Sequence, residues 1–190
     1  MAIFTMGGTP EAIRTVLENV GTHLGHAPEG STMRAMGMAT ERVSVSQPHR
    51  VFSATLEDVL ADRLLANARE TTTRFFLVRD ADEPFATAEV RGAEFDHLNE
   101  GPFVLGTARA MLAAEQLDAT GQRDYEMRLL RIPALYTVAV WLASPADNIL
   151  IPAAPAPEPL IADRPYDERA FTDALRPLAE TRGRADERMG

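Results

Sequence analysis

Tyr125-Glu-Met-Arg-Leu-Leu-Arg-Ile-Pro-Ala-Leu-Tyr-Thr-Val-Ala-Val-Trp-Leu-Ala143 decides the fold class, together with Asn148-Ile-Leu-Ile151 and Pro152-Ala-Ala-Pro-Ala-Pro-Glu-Pro159 after it. Two apolar runs, Tyr125–Ile132 and Leu135–Ala143, meet at Pro133. Both are short and bounded by turn residues, which favours strands over a helix. The second is apolar at both parities, with Tyr136, Val138, Val140 and Leu142 on one side and Leu135, Ala139 and Trp141 on the other. A strand apolar on two faces is covered on two faces, so it belongs inside a sheet. The proline stretch then predicts an extended, polyproline II-like exit.

The chain on either side adds helices. Thr9-Pro10-Glu11 suits a helix start, because threonine caps, proline fits the first turn and a carboxylate favours the positive end of the dipole. Ile13, Val16, Leu17 and Val20 then share one face, which predicts an amino-terminal amphipathic helix ending near Gly21 or fraying towards Gly25. From Ala27 to Pro48 the pattern loosens, and only Val43–Ser46 alternates like a short strand. Thr55-Leu-Glu-Asp58 has capping-box chemistry and predicts a second helix to about Glu70. Arg74–Arg79 and Phe85–Arg91 read as a hairpin around Asp80-Ala-Asp-Glu-Pro84. Gly101-Pro102 opens a third helix, and Tyr166–Thr181 forms the last, with Pro177 predicting a kink or break.

The expected fold is therefore α+β: an antiparallel sheet of about five strands with helices packed on it. From residue 51 the order is helix, strand, strand, helix, three strands, helix, preceded by the amino-terminal helix. Residues 1–50 form a helix and arm, 51–181 the core, and 182–190 a polar tail. Over residues 54–181 this element order resembles roadblock and profilin-like modules. That resemblance implies a five-stranded antiparallel sheet that pairs with copies of itself and serves as an assembly platform.

Composition narrows the chemistry. The chain of 190 residues has no cysteine and no lysine, so its 19 cations are all arginine. Disulfides, thiolate metal sites, a Schiff-base lysine and a P-loop lysine are excluded. The net charge is −9, and residues 55–100 alone carry 11 acids against 5 arginines. An acidic chain without a basic stripe argues against nucleic acid or an anionic membrane as partner. Met1-Ala-Ile-Phe-Thr-Met-Gly-Gly8 lacks a basic n-region and a long apolar stretch, which predicts a soluble cytoplasmic protein.

Candidate sites fall into four groups. Met33, Met36 and Met38 offer an adaptable contact surface, and Pro152, Pro155 and Pro157 a preordered one, or else core filling and a stiff connector. Phe76, Phe85, Phe103, Tyr136 and Trp141 are candidates to line an apolar pocket between sheet and helix. Glu94, Asp96, His97 and Glu100 form the densest polar cluster and could ligate a metal or act as an acid/base pair, with a solvated acidic loop as the alternative. His23 and His26, three apart, have ligand spacing on a continuous helix but equally suit a helix end. Arg128 is expected on an exposed face beside Glu126, and Arg131 to pair with Asp124 or Glu89. There is no nucleophile elbow and no catalytic residue to nominate. The expected function is a non-enzymatic structural or interaction module without a cofactor, binding a protein partner or its own copies. A small-molecule binding module and a metal-dependent hydrolase built on residues 94–100 are the alternatives.

Overall fold

The computed structural model describes residues 3–5, 8–26, 42–117 and 124–187. Met33, Met36 and Met38 lie outside them. The strands are β1 (Ile3–Phe4), β2 (Val43–Val45), β3 (His49–Ser53), β4 (Arg69–Asp80), β5 (Glu83–Arg91), β6 (Glu94–Asn99), β7 (Tyr125–Ile132), β8 (Thr137–Ala143), β9 (Asn148–Pro152) and β10 (Tyr166–Asp167). The helices are α1 (Pro10–His26), the short pair α2 (Leu56–Leu60) and α3 (Leu64–Asn67), α4 (Pro102–Gln116) and α5 (Glu168–Glu187).

The expectation of about five antiparallel strands is overturned. Among the described residues ten strands join one mixed sheet, ordered β10-β9-β8-β7-β3-β4-β5-β6, with β1 on β7 and β2 on β4. The difference comes from β3. It runs parallel to β7, matching Val51 to Leu129, and antiparallel to β4, matching Arg50 to Arg74. It therefore sits between the hairpin β4–β5 and the block β7–β8–β9, and makes them one sheet. A five-residue strand with one long-range parallel partner leaves a weak periodic signal, which is why the sequence places no strand at residues 49–53. The acidic stretch 94–100 is likewise no loop, since β6 forms an edge of the sheet against β5.

The central block follows the sequence closely. β7 and β8 pair from Glu126 with Ala143 to Ile132 with Thr137. A four-residue connection joins them: a 3-10 turn at Pro133–Leu135, then Tyr136 in the left-handed region at φ 49°. As the double apolar parity of β8 predicts, helices cover both its sides. On one face, Val104, Ala110, Met111 and Ala114 of α4 pack on Val51, Leu129, Val140, Leu142 and Ile151. On the other, Phe171, Leu175 and Ala179 of α5 pack on Leu130, Ile132, Ala139, Trp141 and Leu150. α1 covers the remainder of that second face, with Val16 and Val20 buried on Phe76, Val78, Ala88 and Val90. Each of the larger of these side chains, valine to phenylalanine, contributes about 1.5–3 kcal/mol by leaving water.

Local chemistry explains the helix limits. Thr9 caps α1 by accepting from the Ala12 N–H at 3.2 Å. α1 runs through Gly21 to His26, beyond the expected stop. Thr55 and Asp58 form the reciprocal capping box of α2. The second predicted helix divides in two where Asp62 takes φ 57°. α5 continues past Pro177 to Glu187, so the break expected there does not occur. Its apolar face, held against the sheet, offsets the hydrogen bond that proline removes. No helix among the described residues is long and apolar enough to cross a membrane.

Candidate functional site

The β7–β8 connection, the first turn of α4, the chain after β9 and the last turns of α5 meet at one end of the molecule. They enclose an apolar groove of about 350 Å³ lined by Phe103, Ala134, Leu135, Tyr136, Pro155, Ala156, Pro157, Leu178 and Arg182. The left-handed conformation at Tyr136 turns its ring outward, leaving it 71% exposed, and Phe103 is 36% exposed. Exposed aromatic rings beside prolines form an apolar surface left in contact with water. The Arg182 guanidinium lies over the Tyr136 ring, 5.7 Å from its centroid. Among the described residues it is the single charged side chain in the lining.

Two groups of candidate residues converge here. Pro155 and Pro157 form one wall, with Phe103 and Tyr136 from the aromatic group facing the same space. Pro152 is buried at the end of β9. The other aromatics are elsewhere: Phe76 and Phe85 lie under α1, and Trp141 lies under α5, edge-on to Phe52 at 5.0 Å. A single pocket of all five is thus not formed. The proline segment is also not one continuous extended run, because the Leu160 N–H donates to the Pro157 carbonyl and the Asp163 N–H to the Pro152 carbonyl. These two bonds fold residues 152–163 into the wall. Arg182 and Ala134 carried no signal in the sequence, and Leu178 only that of an inward helix face, since nothing local places the end of a helix beside a hairpin turn.

A second arrangement lies at the β5–β6 edge. Glu89 pairs with His97 and Val90 with Phe95, so Asp96 is an extra residue, a bulge. The bulge brings Asp96 Oδ2 to 3.1 Å from His97 Nδ1. His97 Nε2 is 3.5 Å from Oε1 of Glu89, a carboxylate only 2% exposed. Glu89 also accepts from Thr73 Oγ1 at 2.9 Å and from Arg131, one of the two ion pairs expected for that arginine from the sequence. Of the four polar candidates, Asp96 and His97 are brought together, whereas Glu94 and Glu100 stay outside this group. The His23 and His26 Nδ1 atoms each bond a carbonyl one turn back, Asn19 at 2.8 Å and Thr22 at 2.9 Å, which is helix-end behaviour.

A third arrangement crosses the sheet centre, between the surfaces that α1 and α5 cover. Glu126 is buried and accepts from Arg128 Nε at 2.7 Å and from Arg50 at 3.3 Å. Arg50 also pairs with Glu70, which bonds Arg74 at 3.1 Å. The Arg50 side-chain bond holds Glu70 below the usual carboxylate range and raises Arg50 itself. Arg128 is therefore not the exposed cross-strand partner expected. Its pair with Glu126 is within one strand, and its guanidinium covers Trp141.

No relative decides among these sites. No family model, curated protein or solved structure matches the chain. The assignment rests on the groove's own chemistry, which is apolar, aromatic and proline-rich with a lone cation at its rim.

Proposed function

We infer that this protein is a non-enzymatic interaction module that holds an extended, apolar segment of a protein partner in the groove at Tyr136. One observation carries the reading: Tyr136, Phe103, Pro155 and Pro157 arrive from three separate parts of the chain to line one open surface. Aromatic grooves of this kind suit extended, proline-tolerant peptides, whose ordering cost is low. The charge on Arg182 favours a segment that carries a carboxylate beside its apolar side chains. A cytoplasmic setting belongs to this reading.

The test is peptide selection on the full chain, followed by titration of the selected peptides into wild type, Tyr136→Ser and Arg182→Glu. The expected result is enrichment of proline- and aromatic-bearing acidic peptides, with binding weakened at least tenfold by either substitution. Selected peptides that bind Tyr136→Ser as tightly as wild type would remove the groove from the reading. A wild-type dimer in light scattering that Tyr136→Ser dissociates would replace the partner with a second copy of the chain.

A further inference from the structure

We propose that Glu89 and His97, with Asp96 behind the imidazole, form a binding site for a zinc ion. The proposal goes beyond the groove, which lies elsewhere and shares none of these residues.

The argument begins with the histidine's protons. An ionised carboxylate only accepts hydrogen bonds, so the ring nitrogen facing Asp96 must donate. His97 Nδ1, 3.1 Å from Asp96 Oδ2, therefore carries the proton. In the neutral ring Nε2 then keeps its lone pair, facing Glu89 Oε1 3.5 Å away. In that state two electron-rich atoms face each other across the gap, and although Arg131 already donates to Oε1, a cation between them makes the contact favourable. A second proton on the ring could serve, but the separation is long for a charge-assisted bond, which is normally about 2.7–2.9 Å. It matches a metal better. Two donors bound at roughly 2.0–2.1 Å to one tetrahedral zinc stand about 3.3–3.4 Å apart.

The surroundings fit the same reading. A carboxylate on the far nitrogen of a ligating histidine fixes its tautomer and raises its basicity, which is the position Asp96 takes. Thr73 Oγ1 donates to Glu89 Oε2 and Arg131 to Oε1, so the buried carboxylate is oriented before any ion arrives. Each carboxylate oxygen has two lone pairs, so Oε1 can keep Arg131 and still bind a cation. Among the described residues, Glu89, Asp96 and His97 form the group of three whose ligand atoms lie within 4.8 Å of one another. An imidazole with a carboxylate is a donor set suited to zinc rather than to calcium or magnesium. His97 and Asp96 are partly open at the sheet edge, which gives the ion a way in and leaves room for water in the remaining positions. Arg91, 3.6 Å from Asp96, and Arg131 already balance the two carboxylates. Affinity therefore comes from inner coordination, and is modest.

The test is calorimetric titration of zinc chloride into the full chain at neutral pH, in a buffer that does not bind zinc. The variants are His97→Ala, Asp96→Asn and the double variant His23→Ala/His26→Ala. The expected result is one site per chain, unchanged in the double variant, weakened at least tenfold by His97→Ala and about tenfold by Asp96→Asn. No heat from wild type at millimolar zinc would overturn the proposal. So would equal affinity in His97→Ala, or binding that disappears with His23 and His26. Should His97→Ala not fold, the ring ¹⁵N shifts of His97 in wild type decide alone: a zinc-dependent shift at Nε2 supports the site, and unmoved resonances end it.

Discussion

Gly106 stands directly against the backbone of Ala154, so close that a Cβ at Gly106 would come within 1.7 Å of the Ala154 carbonyl oxygen. This contact seats α4 on the chain leaving β9, and so sets the distance between Phe103 and the proline wall. Glycine inside a helix normally costs about 1 kcal/mol relative to alanine. Here the sign reverses, because the obstacle is backbone and cannot swing aside. Gly106→Ala is expected to destabilise by about 3 kcal/mol or more in urea denaturation, through forced overpacking. A variant as stable as wild type would show that α4 can shift away, and the groove geometry would need redrawing.

His49 gives the protein an acid sensitivity of known sign. Burial in the sheet centre lowers its pKa from 6.5 to about 4, against a weak contact of Nδ1 with the Met127 carbonyl at 3.4 Å. In the unfolded chain the imidazole takes a proton near pH 6.5, whereas the folded one resists until about pH 4. Between those values the unfolded state binds more protons, so stability falls as pH falls. The contribution lost is up to about 3 kcal/mol across that window. Urea midpoints measured at pH 7 and pH 4.5 should differ more in wild type than in His49→Asn. Parallel pH profiles would contradict the assignment.

Glu126 is the buried anchor of the arginine strip. Glu126→Gln keeps the shape but removes the charge that Arg50 and Arg128 share. Both arginines are partly solvated, so the expected loss is about 3 kcal/mol, at the low end for breaking a buried pair. Combining it with Arg128→Met should recover part of the loss, since the indole of Trp141 then meets an apolar side chain. Additive losses in the double variant would mean the two residues do not interact.

Tyr136 is expected to be nearly silent in folding. Its ring is exposed, and its φ of 49° is one that glycine adopts without cost. Tyr136→Gly should therefore move stability by no more than about 1 kcal/mol, with a circular dichroism spectrum like that of wild type. A large loss would show that the ring supports the fold rather than a partner.

Legibility differed between elements for physical reasons. β8 and β9 could be read because each is a mostly apolar run between turn-formers, and β7 because its apolar residues outnumber Glu126, Arg128 and Arg131 within it; burial on both faces leaves that mark in the chain itself. The start of α1 and the capping box of α2 could be read because caps are local hydrogen bonds. β3 could not, because its place depends on partners far along the chain, Leu129 on one side and Arg74 on the other. β6 was hidden by its charges. At an open edge, acidic side chains suit a strand as well as a loop.

The sites differ in the same way. Phe103, Tyr136, Pro155 and Pro157 could each be picked out by residue type, but not their meeting. Asp96 and His97 were visible as neighbours, yet Glu89 enters only through the β5–β6 register and its bulge. An alternating strand would have sent Asp96 and His97 to opposite faces. The amino-acid order by itself determined which segments are apolar enough to be buried and where helices begin, since those depend on neighbours a few residues away. Which strand lies beside which, and so which side chains share a groove or face a common ion, was decided only in three dimensions, where contacts between distant residues set the register.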